Sequence, residues 1–144
     1  MGAPANFAAL DCTRTIYLID DEESVRRSLA RLLAQLKLPV RTYASAEEFL
    51  AQVDATARGC LVVDVHLPGM KGPELQSLLN AARWSLPVIA ISGSLDRQVE
   101  NEALRRGAKA FLSKPFDGKT LVQSIKSAMD EAEKHMTMRP TGSV

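Results

Sequence analysis

Cysteine and histidine are both scarce in this chain, at two residues each out of 144. Cys12 and Cys60 make neither a disulfide framework nor a zinc-ligand set, so a reduced, cytosolic setting is expected. His66 and His135 are likewise too few for a histidine metal site. No apolar run approaches the roughly 18 residues that span a bilayer, and the leader MGAPANFAALDCTRT lacks the basic start of a signal peptide. Asn6 stands where a myristoylation site needs Ser or Thr. Charge of one sign is also missing: 18 Lys and Arg against 17 Asp and Glu leave a formal +1. That supplies no field to draw in nucleic acid or a membrane surface, so direct nucleic-acid binding by this chain and membrane association are both set aside. No internal repeat or low-complexity segment appears.

What is present is an ordinary 46% hydrophobic content in a length that suits one domain, enough to bury about two-thirds of its unfolded surface. Apolar runs at 15–19 (TIYLI), 60–64 (CLVVD), 87–92 (PVIAIS) and 110–113 (AFLS), with a weaker one at 39–43 (PVRTY), are continuous instead of alternating. Such strands belong to parallel sheets covered on both faces. Between them run helical spacings: Val25, Leu29, Leu32, Leu33 and Leu36; Leu75, Leu78, Leu79 and Ala82; Leu121, Ile125, Met129 and Ala132. Ser45 to Glu48 has capping-box spacing, Pro39 follows the first helix, and Gly107 stands where the fourth should stop, with Arg105 and Arg106 placed to cap its dipole. The expected fold class is α/β, a (βα)5 doubly wound five-stranded parallel sheet with its working site at the carboxyl ends of the strands.

The first strand delivers Asp20 and Asp21, the third Asp64, the fourth Ser92 followed by Gly93 and Ser94, and the fifth Lys114 before Pro115. In a doubly wound sheet these ends converge, so three carboxylates, a hydroxyl and an ammonium share one crevice. Three negative charges against one lysine call for a divalent cation, and all-oxygen ligands suit Mg2+ better than zinc. The same acids disfavour a phosphate-cradling loop after the first strand, which needs glycines and backbone N–H groups. A carboxylate beside magnesium, with Lys and Ser to hold phosphoryl oxygens, is equipment for phosphoryl transfer onto aspartate.

LIDDEE, VVDVHLPGMKGPEL, VIAISG and AFLSKPF, in that order and separation, resemble the receiver domain of two-component response regulators from about Thr15 to Glu133. The resemblance implies the flavodoxin-like strand order 2-1-3-4-5. It implies Asp64 as phosphoacceptor, Asp20, Asp21 and Asp64 as magnesium ligands with the backbone carbonyl of His66, and Ser92 and Lys114 on the phosphoryl oxygens. Phe111 matches the aromatic that changes rotamer on activation, Gly93 the small residue that leaves access for the phosphodonor, and LPGMKG the tight loop after the acceptor. Ser92 replaces the commoner Thr and keeps the hydroxyl; His66 is a less usual neighbour that could alter phosphoryl lifetime. SAEEFL and the KPF ending also resemble FixJ-type regulators. The implied partners are a histidine kinase or phosphotransfer protein, and a second copy of the chain through a face made of helix 4, strand 5 and helix 5.

Each residue also has a plainer use. The acids from Asp20 to Glu23 could be a solvated helix start, Lys114 a surface lysine, Phe111 and Trp84 packing residues, Cys60 a small buried hydrophobe, and His135 a surface residue. Asp64 resists that treatment, because an unpaired carboxylate closing a buried strand is costly. Two rival functions remain. An aspartate-nucleophile phosphohydrolase would need an acid two residues after Asp64, where His66 stands; a non-phosphorylated pseudo-receiver would act as a binding module, against retention of all five site residues. The expected organisation is a leader over 1–12, a receiver over 13–134, and a tail or linker start over 135–144 with no helix-turn-helix following.

Overall fold

The computed structural model describes residues 14–93 and 96–138, the last four by backbone alone. The expectations for Cys12, Ser94, His135 and the leader, and for the tail beyond 138, fall outside what it describes. Its elements alternate: β1 (Thr15–Ile19), α1 (Glu23–Leu33) ending in a 3-10 turn (Ala34–Leu36), β2 (Val40–Tyr43), α2 (Ala46–Gln52), β3 (Gly59–Asp64), α3 (Gly72–Ala81), β4 (Val88–Ser92), α4 (Arg97–Arg105), β5 (Ala110–Ser113) and α5 (Gly118–Met138). The five strands form one parallel sheet in the order β2-β1-β3-β4-β5.

Alternate residues of the central strands feed opposite layers, which is why these segments are apolar throughout. Ile16, Leu18, Cys60, Val62, Ile89 and Ile91 meet Leu29 and Leu33 of α1 and Leu121, Ile125 and Met129 of α5. Tyr17, Ile19, Leu61 and Val63 face the other way, onto Phe49 of α2 and Leu75 and Leu79 of α3. Trp84 packs there as a half-buried ring 5.8 Å from Phe49. Each large side chain so buried contributes about 1.5–3 kcal/mol of transfer free energy. Cys60 is fully buried and its thiol is pushed far up by that burial, in keeping with a packing role. The weaker run became β2, an edge strand whose first three residues are partly or fully exposed.

Local chemistry sets the ends. Ser45 caps α2 by accepting from Glu48 N at 3.0 Å, while the Glu48 carboxylate reaches back to Ala44 N at 2.8 Å, one residue before the cap. Gly107 takes φ +103° just past α4, a conformation that side chains penalise. Arg106, expected to act on the dipole of α4, turns instead to Glu102 and to Ser77 and the Pro73 carbonyl of α3, tying two helices together. A planar guanidinium can serve all three acceptors at once.

Candidate functional site

The opening acids divide their labour once folded. Asp20 is fully buried at the end of β1, whereas Asp21, Glu22 and Glu23 are exposed. Glu22, at the N-cap of α1, makes no capping bond with its side chain; the Asp20 carboxylate instead accepts from Glu22 N at 2.9 Å. Glu23 pairs with Arg27 one turn on at 2.8 Å. Arg26 donates to the Asp20 backbone carbonyl at 2.7 Å, fixing the strand end from the helix side.

Asp64 closes β3 almost buried, with Oδ1 accepting from His66 N at 2.8 Å. Lys114, one residue past β5, bridges the strands: its Nζ lies 3.0 Å from Asp20 Oδ2 and 3.2 Å from Asp64 Oδ2. Burial pushes the ammonium pKa down, but the hydrogen bonds and charges of Asp20 and Asp64 prevail and raise it above its usual value. Backbone bonding sets this reach, since Lys114 N donates to the Ser92 carbonyl at 2.7 Å. Ser92 is fully buried at the end of β4, opposite Ser113 in register.

Oxygens of Asp20, Asp21 and Asp64 all lie within 4.8 Å of one another. Three carboxylates against one ammonium leave a local charge of −2, and an all-oxygen set of this kind fits a hard divalent cation. Beyond Ser92, a Cβ built on Gly93 would meet nothing within 4 Å among the described residues. Behind Asp64 the opposite holds: a Cβ on Gly72 would stand 2.9 Å from Val65 Cα, so the start of α3 packs directly on the strand end.

Phe111 is half-buried on β5 against a patch of small residues, Val65, Ala90, Ala103 and Ala108. The side chain of His66 is exposed. One positioning contact had no sequence signal. Glu47, in a segment read for its cap and its FixJ-type resemblance, accepts from Met70 N at 2.9 Å and so holds the loop after Asp64 from 23 residues away.

The family model described as the response regulator receiver domain matches residues 16–126. The chain belongs to that family. The receiver is 34% identical over 137 residues to the transcriptional regulatory protein TdiR of Thauera aromatica, covering 88% of this chain and 60% of TdiR. It is 39% identical over 114 residues to the transcriptional regulatory protein FixJ of Azorhizobium caulinodans, covering 79% and 54%. Among solved structures, response regulator StyR superposes with a TM-score of 0.83 at 32% identity, over 92% of the receiver and 67% of StyR. The receiver thus spans only a little over half the length of these curated relatives. FixJ-type relatives agree with the resemblance carried by SAEEFL and KPF. No helix among the described residues is long and apolar enough to cross a membrane.

Proposed function

We propose that this receiver takes a phosphoryl group from a histidine kinase or phosphotransfer protein onto Asp64, and that the modified aspartate switches a partner-binding face. The observation that carries this reading is the Lys114 ammonium bridging Asp20 and Asp64 beside a third carboxylate. Asp20, Asp21 and Asp64, with the backbone carbonyl of His66, would hold Mg2+. The cation supplies charge neutralisation, which lets a phosphate dianion approach a cluster otherwise at −2.

The protein's own part is positional. An Asp64 carboxylate oxygen attacks phosphorus, the bond from phosphorus to the donor imidazole breaks, and an acyl phosphate forms. Lys114 would leave the carboxylates for the incoming oxygens, and Ser92 would give them a hydroxyl donor. Gly93, with no side chain of its own, would leave the approach open to the phosphodonor. In a phosphohydrolase the residue two after the nucleophile supplies a proton; here that residue is the exposed His66, and family membership favours a signalling receiver that catalyses only its own phosphorylation and dephosphorylation.

For output, Ser92 drawn toward the phosphoryl group would free space beside β5, and Phe111 would turn inward over Ala90, Ala103 and Ala108, whose small side chains give it room. That repacks the face of α4, β5 and α5, where a second copy or an effector would bind. The working unit is taken as 13–134, with 1–12 a leader and 135–144 a tail or linker start, although the α5 backbone itself continues to Met138.

Acetyl phosphate with magnesium should add one phosphoryl group per chain by intact mass. None should add with a chelator or in Asp64→Asn. Equal labelling of Asp64→Asn would overturn the acceptor assignment.

A further inference from the structure

The loop from His66 to Lys71 joins the end of β3 to the start of α3, and carboxylates fasten its backbone at both ends and near its middle. At its start His66 N donates to Asp64 Oδ1 at 2.8 Å, and at its end Lys71 N donates to Glu74 Oε1 of α3 at 2.8 Å. Between them, Met70 N donates to Glu47 Oε2 at 2.9 Å, a bond to α2. Gly69 makes that bond possible. It takes φ +73°, and a Cβ built on it would stand 2.8 Å from the same Glu47 oxygen, so a side chain here would push the carboxylate away. Leu67 and Met70 also pack in one apolar cluster with Ala46 and Phe49 of α2. The loop therefore lies on α2 through both apolar and polar contact. Glu47 is not needed for its own helix start, which Ser45 and Glu48 already serve.

The same loop carries the backbone carbonyl of His66, proposed above as a magnesium ligand beside Asp20, Asp21 and Asp64. Such a carbonyl helps a hard cation most when its backbone is held before the cation arrives, because otherwise binding has to supply the ordering as well. We infer that Glu47 is a positioning residue for the magnesium site, holding the loop after Asp64 against α2 so that the His66 carbonyl is ready for the cation. The inference rests on the magnesium reading above. Met70 N needs only an acceptor, so the carboxylate acts through its oxygen and not through its charge. Linkage makes the effect mutual: whatever the Glu47 bond adds to magnesium affinity, magnesium adds to the stability of that bond. A single exposed hydrogen bond sets the scale, about two- to fivefold.

Calorimetric magnesium titrations of the unmodified receiver, Glu47→Ala and Glu47→Gln test this, with Asp21→Ala as the control for the site itself. Glu47→Ala should bind magnesium about two- to fivefold more weakly, whereas Glu47→Gln, which keeps an oxygen for Met70 N, should recover most of the loss. Magnesium should slow hydrogen exchange at Met70 N by a similar factor in the unmodified receiver, and should protect it less in Glu47→Ala. A bond with a structural role alone would speed exchange at Met70 N in Glu47→Ala yet leave magnesium affinity where it was. Unchanged affinity in Glu47→Ala, with the expected loss in Asp21→Ala, would thus overturn the inference and spare the magnesium site. Glu47→Gln binding as weakly as Glu47→Ala would also overturn it, since the effect would then be the loss of a negative charge near the cation. No magnesium binding by the unmodified receiver, or none lost in Asp21→Ala, would overturn the magnesium reading and the inference with it.

Discussion

Replacing Lys114 by Met should make the receiver less stable without metal yet better at binding magnesium. The ammonium sits 3.0 and 3.2 Å from two carboxylates, and its side chain is 23% exposed. Removing one partner of a buried ion pair costs about 3–5 kcal/mol, because the other charge is left uncompensated. Partial exposure of Lys114, and the ability of a carboxylate to take up a proton, reduce that to about 2–3 kcal/mol here. Magnesium competes with the ammonium for the same oxygens. With an ammonium 3.0 Å from one carboxylate oxygen and a cation about 2 Å from another, charges of +1 and +2 stand about 5 Å apart. They repel by about 1.7 kcal/mol even at the dielectric constant of water, so Lys114→Met should bind magnesium about tenfold more tightly. Urea unfolding in chelator and in rising magnesium should therefore show the stability gap closing as metal is added, while calorimetry gives the affinities. A pH series adds a second handle. The Lys114 pKa is raised above 10.5 in the fold, so its contribution is fully present below the unfolded value and is lost as pH rises through the higher folded one. In chelator, the unmodified receiver should lose this increment at alkaline pH and Lys114→Met should not. Unchanged stability in chelator together with unchanged or weaker magnesium affinity would refute the reasoning.

Asp21→Ala should lower magnesium affinity sharply while leaving or raising thermal stability in chelator, since it removes an exposed member of a crowded like-charge cluster; calorimetry and a melting curve check both halves. Ser92→Ala should still accept phosphate at Asp64 but lose most of its response to beryllofluoride, read by sedimentation and by NMR shifts on α4, β5 and α5. A response equal to that of the unmodified receiver would remove Ser92 from the relay. Glu47→Ala should cost about 0.5–1 kcal/mol in a urea titration, as befits an exposed hydrogen bond, and should speed hydrogen exchange at Met70 N.

The sheet was legible because its central strands are apolar on both faces, and β1, β3 and β4 are indeed buried from end to end. The edges gave weaker signals for the same reason: β2 exposes Arg41 and Thr42, every residue of β5 is only partly buried, and both segments are short. Asp20, Asp64, Ser92 and Lys114 could be placed together from sequence because each ends or follows a strand, and a parallel sheet brings strand ends to one side. Contacts that depend on side-chain reach left no such trace. Glu47 and Glu48 stand side by side in SAEEFL, yet one carboxylate serves its own helix start and the other a loop 23 residues on. Arg106 was equally opaque, since its preference for α3 over its own helix end depends on how closely two helices pack.

The acids illustrate why a functional site can be more readable than the packing around it. Asp20 and Asp64 place two carboxylates where apolar residues would be more stable, a local conflict with the packing around them. Lys114 offsets that conflict only in part, because one ammonium shared between two carboxylates leaves a third, Asp21, beside them. A set of charges left short by −2 has a use only if something doubly positive, or a reaction that consumes the carboxylate charge, completes it. Phosphorylation of Asp64 alone would make the imbalance worse, so the cation has to precede the phosphoryl group, and the receiver's switch should be conditional on magnesium at every stage. It follows that beryllofluoride, which mimics the phosphoryl group, should shift α4 and β5 only when magnesium is present; a full response in chelator would show that Lys114 alone can balance the site.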